Sequence, residues 1–199
     1  MVADRSPSAE APRHPLILAS RSPQRRAILD QLKIRYEAVP VDVDEISAGP
    51  PAETARANAL AKARAGAQER PGRTILGVDT VVALDGEIFG KPSSEQEATA
   101  TLRRLQGCSH EVISGLALLA PDNTQVVHEA TEVAFRELDE VAIAWYVGTG
   151  EWRGRAGGYA IQGQGAAFVR RIIGDYLNVV GLPVAAMLDL DLSLILRQG

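Results

Sequence analysis

Apolar and polar positions alternate with changing period along this chain, and each change of period marks an element. Pro15 to Ala19 is a short apolar run that reads as a buried strand, followed at once by Ser22-Pro23. Serine caps a helix by accepting from its free amides, and proline suits the first helical position, where no donor is needed. A helix is therefore predicted from Pro23, with Ile28, Leu29 and Leu32 on its buried face. Val39, Val41 and Val43 alternate with Pro40, Asp42 and Asp44, which predicts a half-buried strand ending near Glu45. The alanine-rich stretch from Ala52 to Arg70 is a helix whose small residues suit close packing on a sheet. Asp85-Gly86 separates two strand-like runs and signals a two-residue hairpin. Ser94 with Glu97 forms a capping box for a helix ending near Gly107. Strands over about 111–119 and 125–136 flank a turn at Pro121-Asp122-Asn123, and Leu138 to Val147 is a short helix. A glycine-punctuated region of strand and loop leads to Pro183, which opens a final helix to about Leu196. Hairpins mixed with helices predict an α/β fold with a mixed sheet, not a doubly wound parallel one.

Composition narrows the class. A chain of 199 residues suffices for one large domain or two small lobes around a shared core. Its 46% hydrophobic and 23% charged residues are those of a globular protein, and no apolar run approaches the roughly 18 residues that span a bilayer. A net charge of -4 argues against a broad nucleic-acid surface while leaving room for a local basic pocket. The single cysteine, Cys108, cannot form an intrachain disulfide and fits a reducing cytoplasm. His14, His110 and His128 lack the spacing of metal ligands. Residues 1–14 are polar and proline-containing and read as a flexible tail, so the domain is expected over 15–199.

Three places carry candidate chemistry. Arg25 and Arg26 fall in the first turn of the first predicted helix, where the backbone dipole already disfavours a cation. Either both point into water, or Ser20, Ser22, Arg25 and the free amides hold an anion such as phosphate. Asp79 lies inside the apolar run ILGVDTVVAL, where an unpaired carboxylate would cost on the order of several kcal/mol. Counting back through the hairpin places Thr80 opposite Lys91, so Lys91 arrives beside Asp79. That pairing is either a structural ion pair or a site in which Asp79 holds a metal or activates water. Glu45, after Asp42 and Asp44, ends a cluster of acids that is a solvated strand end or part of a divalent-ion site. Read singly, Lys62 is a surface lysine and Gln162 a loop amide. GQGAAF lacks a dinucleotide-loop glycine, GKPS is no P-loop, and no Gly-x-Ser-x-Gly motif occurs.

Together, LASRSPQRRAIL, VDE, ALAKA, GVDTVV, GKP, SGLAL, AGGYAIQG and NVVGLP, in this order and spacing, resemble the Maf family of nucleoside triphosphate pyrophosphatases from about Leu16 to Leu188. The resemblance implies a two-lobed α/β fold similar to inosine triphosphatases, a mixed twisted sheet with flanking helices around a nucleotide cleft. It implies cleavage between the α and β phosphates, with Mg²⁺ or Mn²⁺ as cofactor. By position, Asp79 matches the catalytic aspartate and proton acceptor, and Glu45 the motif glutamate that shares the metal with it. Lys62 and Lys91 match lysines of the phosphate site, and Ser20 and Arg25 match residues of the Ser-x-Ser-Pro-Arg-Arg loop. Thr80 and Gln162 resemble the branch acting on dTTP and UTP. Gln24 stands where that branch usually has arginine, whose charge and fork it cannot supply, so modified pyrimidine triphosphates stay in view. The resemblance implies a nucleoside triphosphate as partner and a homodimer as assembly, with no nucleic acid and no membrane. A nucleotide-binding regulator of cell division with little catalysis is the alternative.

Overall fold

A computed structural model describes residues 14–196, so the expected tail lies outside the described residues except for His14. Strand β1 (Leu16–Ala19) is buried at every position and runs into helix α1 (Pro23–Gln31), capped by Ser22 as its sequence predicts. Strand β2 (Tyr36–Ala38) pairs parallel with β1. Helix α2 (Pro51–Glu69) follows, then the hairpin of β3 (Ile75–Leu84) and β4 (Glu87–Phe89). Asp85 and Gly86 turn that hairpin with φ of 53° and 80°, the left-handed pair a two-residue turn needs.

Helix α3 (Glu95–Leu105) is capped by Ser94, but the Glu97 carboxylate reaches back to the amide and hydroxyl of Ser93, one residue earlier than a capping box requires. Two long strands, β5 (Ser109–Ala120) and β6 (Asn123–Phe135), precede helix α4 (Glu140–Thr149). The glycine-rich region makes two 3₁₀ turns, at Ala156–Gly158 and Gln164–Phe168, before strand β7 (Val169–Ile173) and helix α5 (Tyr176–Val180). The expected last helix is broken at Asp191 into α6 (Val184–Leu190) and α7 (Ser193–Leu196).

The sheet runs β2-β1-β3-β5-β6-β7, with β4 on the β1 side of β3. The β2–β1–β3 pairings are parallel and the others antiparallel, so this is the expected mixed sheet with flanking helices. One apolar cluster joins α3, α4 and Tyr159 to Val82 and Val112, and another packs α1 and α6 against Leu76, Val78, Leu116 and Leu118 on the same sheet face. Helix α2 lies directly on β3 and β5. A side chain at Gly77 or Gly115 would overlap the backbone of Ala59 or Ala55, so two glycines and an alanine face let helix and sheet touch.

Two further expectations fail. Val39 to Glu45 is not a strand: the Val39 amide still bonds to the Leu18 carbonyl at 2.9 Å, but β1 ends one residue later and Pro40 offers no donor. Thr80 does not face Lys91 either. The β3–β4 ladder stops at Val82–Phe89, and Thr80 pairs with Ser114 on β5.

Candidate active site

The early end of that ladder opens the site. On one edge of β3, β1 pairs only as far as Gly77 and β4 only from Val82 onward. Between them Val78 to Val81 have no neighbouring strand on that edge, and the chain leaves the gap at Ser20 on one side and Gly90-Lys91 on the other. The opening motif and the end of the hairpin therefore converge. Strand alternation then sorts the two polar residues in the gap: Asp79 points to the α2 face with Gly77 and Val81, and Thr80 to the α1 face.

Asp79 is 6% exposed, and its partners come from α2. Asn58 and Lys62 lie one helical turn apart on the buried face of that helix, beside Ala55, Ala59 and Ala63. Lys62 Nζ donates to Asp79 Oδ1 at 2.5 Å, and Asn58 Nδ2 donates to Asp79 Oδ2 at 3.0 Å. Burial pushes the Asp79 carboxyl upward, but the Lys62 charge and hydrogen bond, the Asn58 amide and the Arg25 charge outweigh it. The group therefore titrates below the usual aspartate range. Lys62 also lies 2.6 Å from Glu45 Oε1, and Lys91 lies 3.7 Å from Glu45 Oε2. A chain Asp79–Lys62–Glu45–Lys91 thus crosses the gap.

Arg25 answers the question its place in a helix N-terminus raises. It is buried, with Nε donating to the Gly181 carbonyl at 2.9 Å, one terminal nitrogen to Ser20 Oγ at 3.0 Å and the other to Thr80 Oγ1 at 3.1 Å. Burial draws its pKa down while Asp79 and Glu45 oppose that shift. The guanidinium therefore forms part of the cleft floor and ties α1, β3 and the segment after α5 together. Arg26 is exposed, so only one of the two arginines points into water. Gln24 is half-buried and accepts the Ser22 hydroxyl at 3.1 Å.

The opposite wall is the loop after α4. Gln162 is exposed there, on a loop held by Glu151, whose two carboxylate oxygens accept the amides of Gln164 and Gly165, each at 3.0 Å. The Tyr146 hydroxyl accepts the Ala160 amide at 3.0 Å. Burial raises the Glu151 carboxyl, but those amides, the Tyr146 hydroxyl and the Arg155 charge bring it below the ordinary glutamate value.

The two walls enclose a cleft of about 730 Å³, within the range of small-molecule sites. Ser20, Gln24, Arg25, Glu45, Lys62, Asp79, Thr80, Lys91 and Gln162, the full set of expected site residues, line it. Asn58 and Glu151 escape the sequence reading. Asn58 carries a signal, its place four residues before Lys62 on the same helical face; Glu151 carries none, since its partners lie 13 and 14 residues on. Among the described residues no group of three or more His, Cys, Asp or Glu side chains could hold a metal. Asp79 and Glu45 remain a pair of hard oxygen donors within reach of one cation, here the Lys62 ammonium. That donor set fits a magnesium-type ion completed by substrate phosphates. No helix among the described residues is long and apolar enough to cross a membrane.

Residues 15–191 match the family model described as Maf-like protein, and the chain belongs to the Maf family. It is 48% identical over 171 residues to a dTTP/UTP pyrophosphatase of Symbiobacterium thermophilum, covering 85% of this chain and 88% of that protein. It is 45% identical over 179 residues to a dTTP/UTP pyrophosphatase of Pelotomaculum thermopropionicum, covering 88% and 94%. Among solved structures, the Ham1 protein of Staphylococcus aureus is similar with a TM-score of 0.45 and 18% identity, over 61% of this chain and 72% of that one.

Proposed function

We propose that this protein hydrolyses nucleoside triphosphates, dTTP and UTP foremost, between the α and β phosphates to a monophosphate and pyrophosphate. One observation carries the reading: a buried, ionised Asp79 shares a nucleotide-sized cleft with Lys62, Lys91 and Glu45. The relatives named dTTP/UTP pyrophosphatase support it.

The chemistry follows from charge. A triphosphate brings several negative charges, which must be offset before a nucleophile can approach phosphorus. Lys91, exposed at the mouth, and Lys62, deeper in the cleft, supply two cations that meet the phosphate oxygens. Arg25 contributes its field from the floor, since its donors are engaged by Gly181, Ser20 and Thr80. Asp79 accepts the proton of the attacking water. A divalent ion, Mg²⁺ or Mn²⁺, held by Asp79 and Glu45 supplies further charge neutralisation when bound. Gln162 faces the base from the opposite wall, where its amide can both donate and accept, and Thr80 completes a pyrimidine-type site. The single thiol of Cys108 suits a reducing cytoplasm as the place of action.

Pyrophosphate release from a panel of standard and modified triphosphates, with Mg²⁺ or Mn²⁺, tests the reading. Asp79→Asn should lower kcat by about 10²–10⁴ with little change in KM, the usual share of general-base help. Equal losses in both would make Asp79 a builder of the site. Orthophosphate and a nucleoside diphosphate as products would overturn the assigned bond, and no turnover of any triphosphate would favour a binding regulator.

A further inference from the structure

Lys62 stands where a metal would. Its ammonium lies 2.5 Å from Asp79 Oδ1 and 2.6 Å from Glu45 Oε1, between the two carboxylates that could share a divalent ion. Magnesium approaches carboxylate oxygens to about 2.0–2.1 Å, so an ion touching both acids would need the space that Lys62 Nζ fills. The other oxygens are also engaged: Asp79 Oδ2 accepts from Asn58 at 3.0 Å, and Glu45 Oε2 has Lys91 at 3.7 Å. A bare cation entering here would repel the ammonium and strand it inside a cleft wall where the lysine is 8% exposed, without its acidic partners.

We infer that Lys62 is an internal plug of the cation position, so that the divalent ion enters together with the triphosphate and not ahead of it. The inference rests on the pyrophosphatase reading, because a phosphate must be present to receive the displaced lysine. With one, the ammonium exchanges a carboxylate for a phosphate oxygen and never loses an anionic partner. A compact charge on a flexible four-carbon stem suits that exchange, which a rigid guanidinium fork would not make as readily. The stem starts from a fixed base, since α2 is pressed on β3 and β5 at Gly77 and Gly115. Metal and nucleotide affinities become reciprocally coupled as a result.

The test is Mn²⁺ binding to the full chain, read by electron paramagnetic resonance of the free ion, with and without the non-hydrolysable α,β-methylene analogue of UTP. Wild type should bind Mn²⁺ weakly alone and roughly tenfold or more tightly with the analogue, after correction for Mn²⁺ on free analogue. Lys62→Met should bind Mn²⁺ alone roughly tenfold or more tightly than wild type, because the competing charge is gone. Equal affinity of wild type with and without the analogue overturns the inference, as does unchanged or weaker binding by a folded Lys62→Met. If that variant does not fold, the two wild-type measurements decide. Pyrophosphate release by wild type is scored separately: its presence keeps the functional reading even where the Mn²⁺ result removes the plug.

Discussion

Asn58 donates to Asp79 Oδ2 at 3.0 Å, and the same amide holds both backbone groups of Ile46, donating to its carbonyl at 2.9 Å and accepting its N–H at 2.8 Å. One buried side chain thus sets the acid of β3 and the residue next to Glu45. Asn58→Ala removes this partner from Asp79 Oδ2 and from both Ile46 backbone groups, and should lower stability by about 1–3 kcal/mol in urea unfolding. It should also reduce kcat/KM for pyrophosphate release, since Glu45 loses its anchor. A folded variant with wild-type kcat/KM would show that the Glu45 segment is fixed by other contacts.

The contact of α2 with the sheet predicts a second effect. Gly77→Ala or Gly115→Ala puts a methyl group into the backbone of Ala59 or Ala55, which cannot yield as a flexible side chain would. The helix must lift, at a cost of about 1–3 kcal/mol for overpacking. Because Lys62 and Asn58 ride on that helix, activity should fall even under conditions where the variant stays folded. Thermal unfolding and pyrophosphate release, measured on the same sample, separate the two losses.

Glu151 holds the loop of Gln162, the side of the cleft proposed to face the base. Glu151→Ala frees the amides of Gln164 and Gly165 and loosens the loop that carries Gln162. The expected outcome is a KM for UTP raised by roughly tenfold, the equivalent of about one good hydrogen bond, with kcat nearly kept. Glu151→Gln, which retains an acceptor, should restore part of the loss. A fall in kcat at constant KM would place Glu151 in the chemistry instead.

His110 predicts a pH dependence of stability away from the cleft chemistry. It is 2% exposed, packed edge-on against Phe135 and Tyr159, with Nε2 sharing a 2.8 Å hydrogen bond with the Tyr159 hydroxyl and Nδ1 unpartnered. Burial lowers its pKa from 6.5 to about 4. The unfolded chain therefore takes up a proton near pH 6.5 that the folded chain refuses until about pH 4. The stability due to the neutral ring is intact above 6.5 and falls as pH drops toward 4, by about 3 kcal/mol in all. Urea unfolding across that window should show the decline, and His110→Gln should flatten it.

Local signals were legible where local physics decides. The Ser22 cap, the Asp85-Gly86 turn and the alanine-rich helix all form within a residue of expectation. The valine alternation after Ala38 misled because a period of two describes any extended chain, and whether it becomes a strand depends on a neighbour that here ends at Ala19. Lys91 was placed by an unbroken ladder count, and it reaches the site through Glu45 although the ladder stops at Phe89. Lys62, Glu45 and Gln162 became site residues only through the family resemblance. No local pattern distinguishes a lysine that meets a buried acid from one that meets water.

The bond between Arg25 and Gly181 spans 156 residues. A chain still emerging from the ribosome has the cationic turn early and its carbonyl partner late, so the cleft floor cannot set until the segment through Gly181 is free. The earliest piece of the pocket to be synthesised is therefore among the last to be finished.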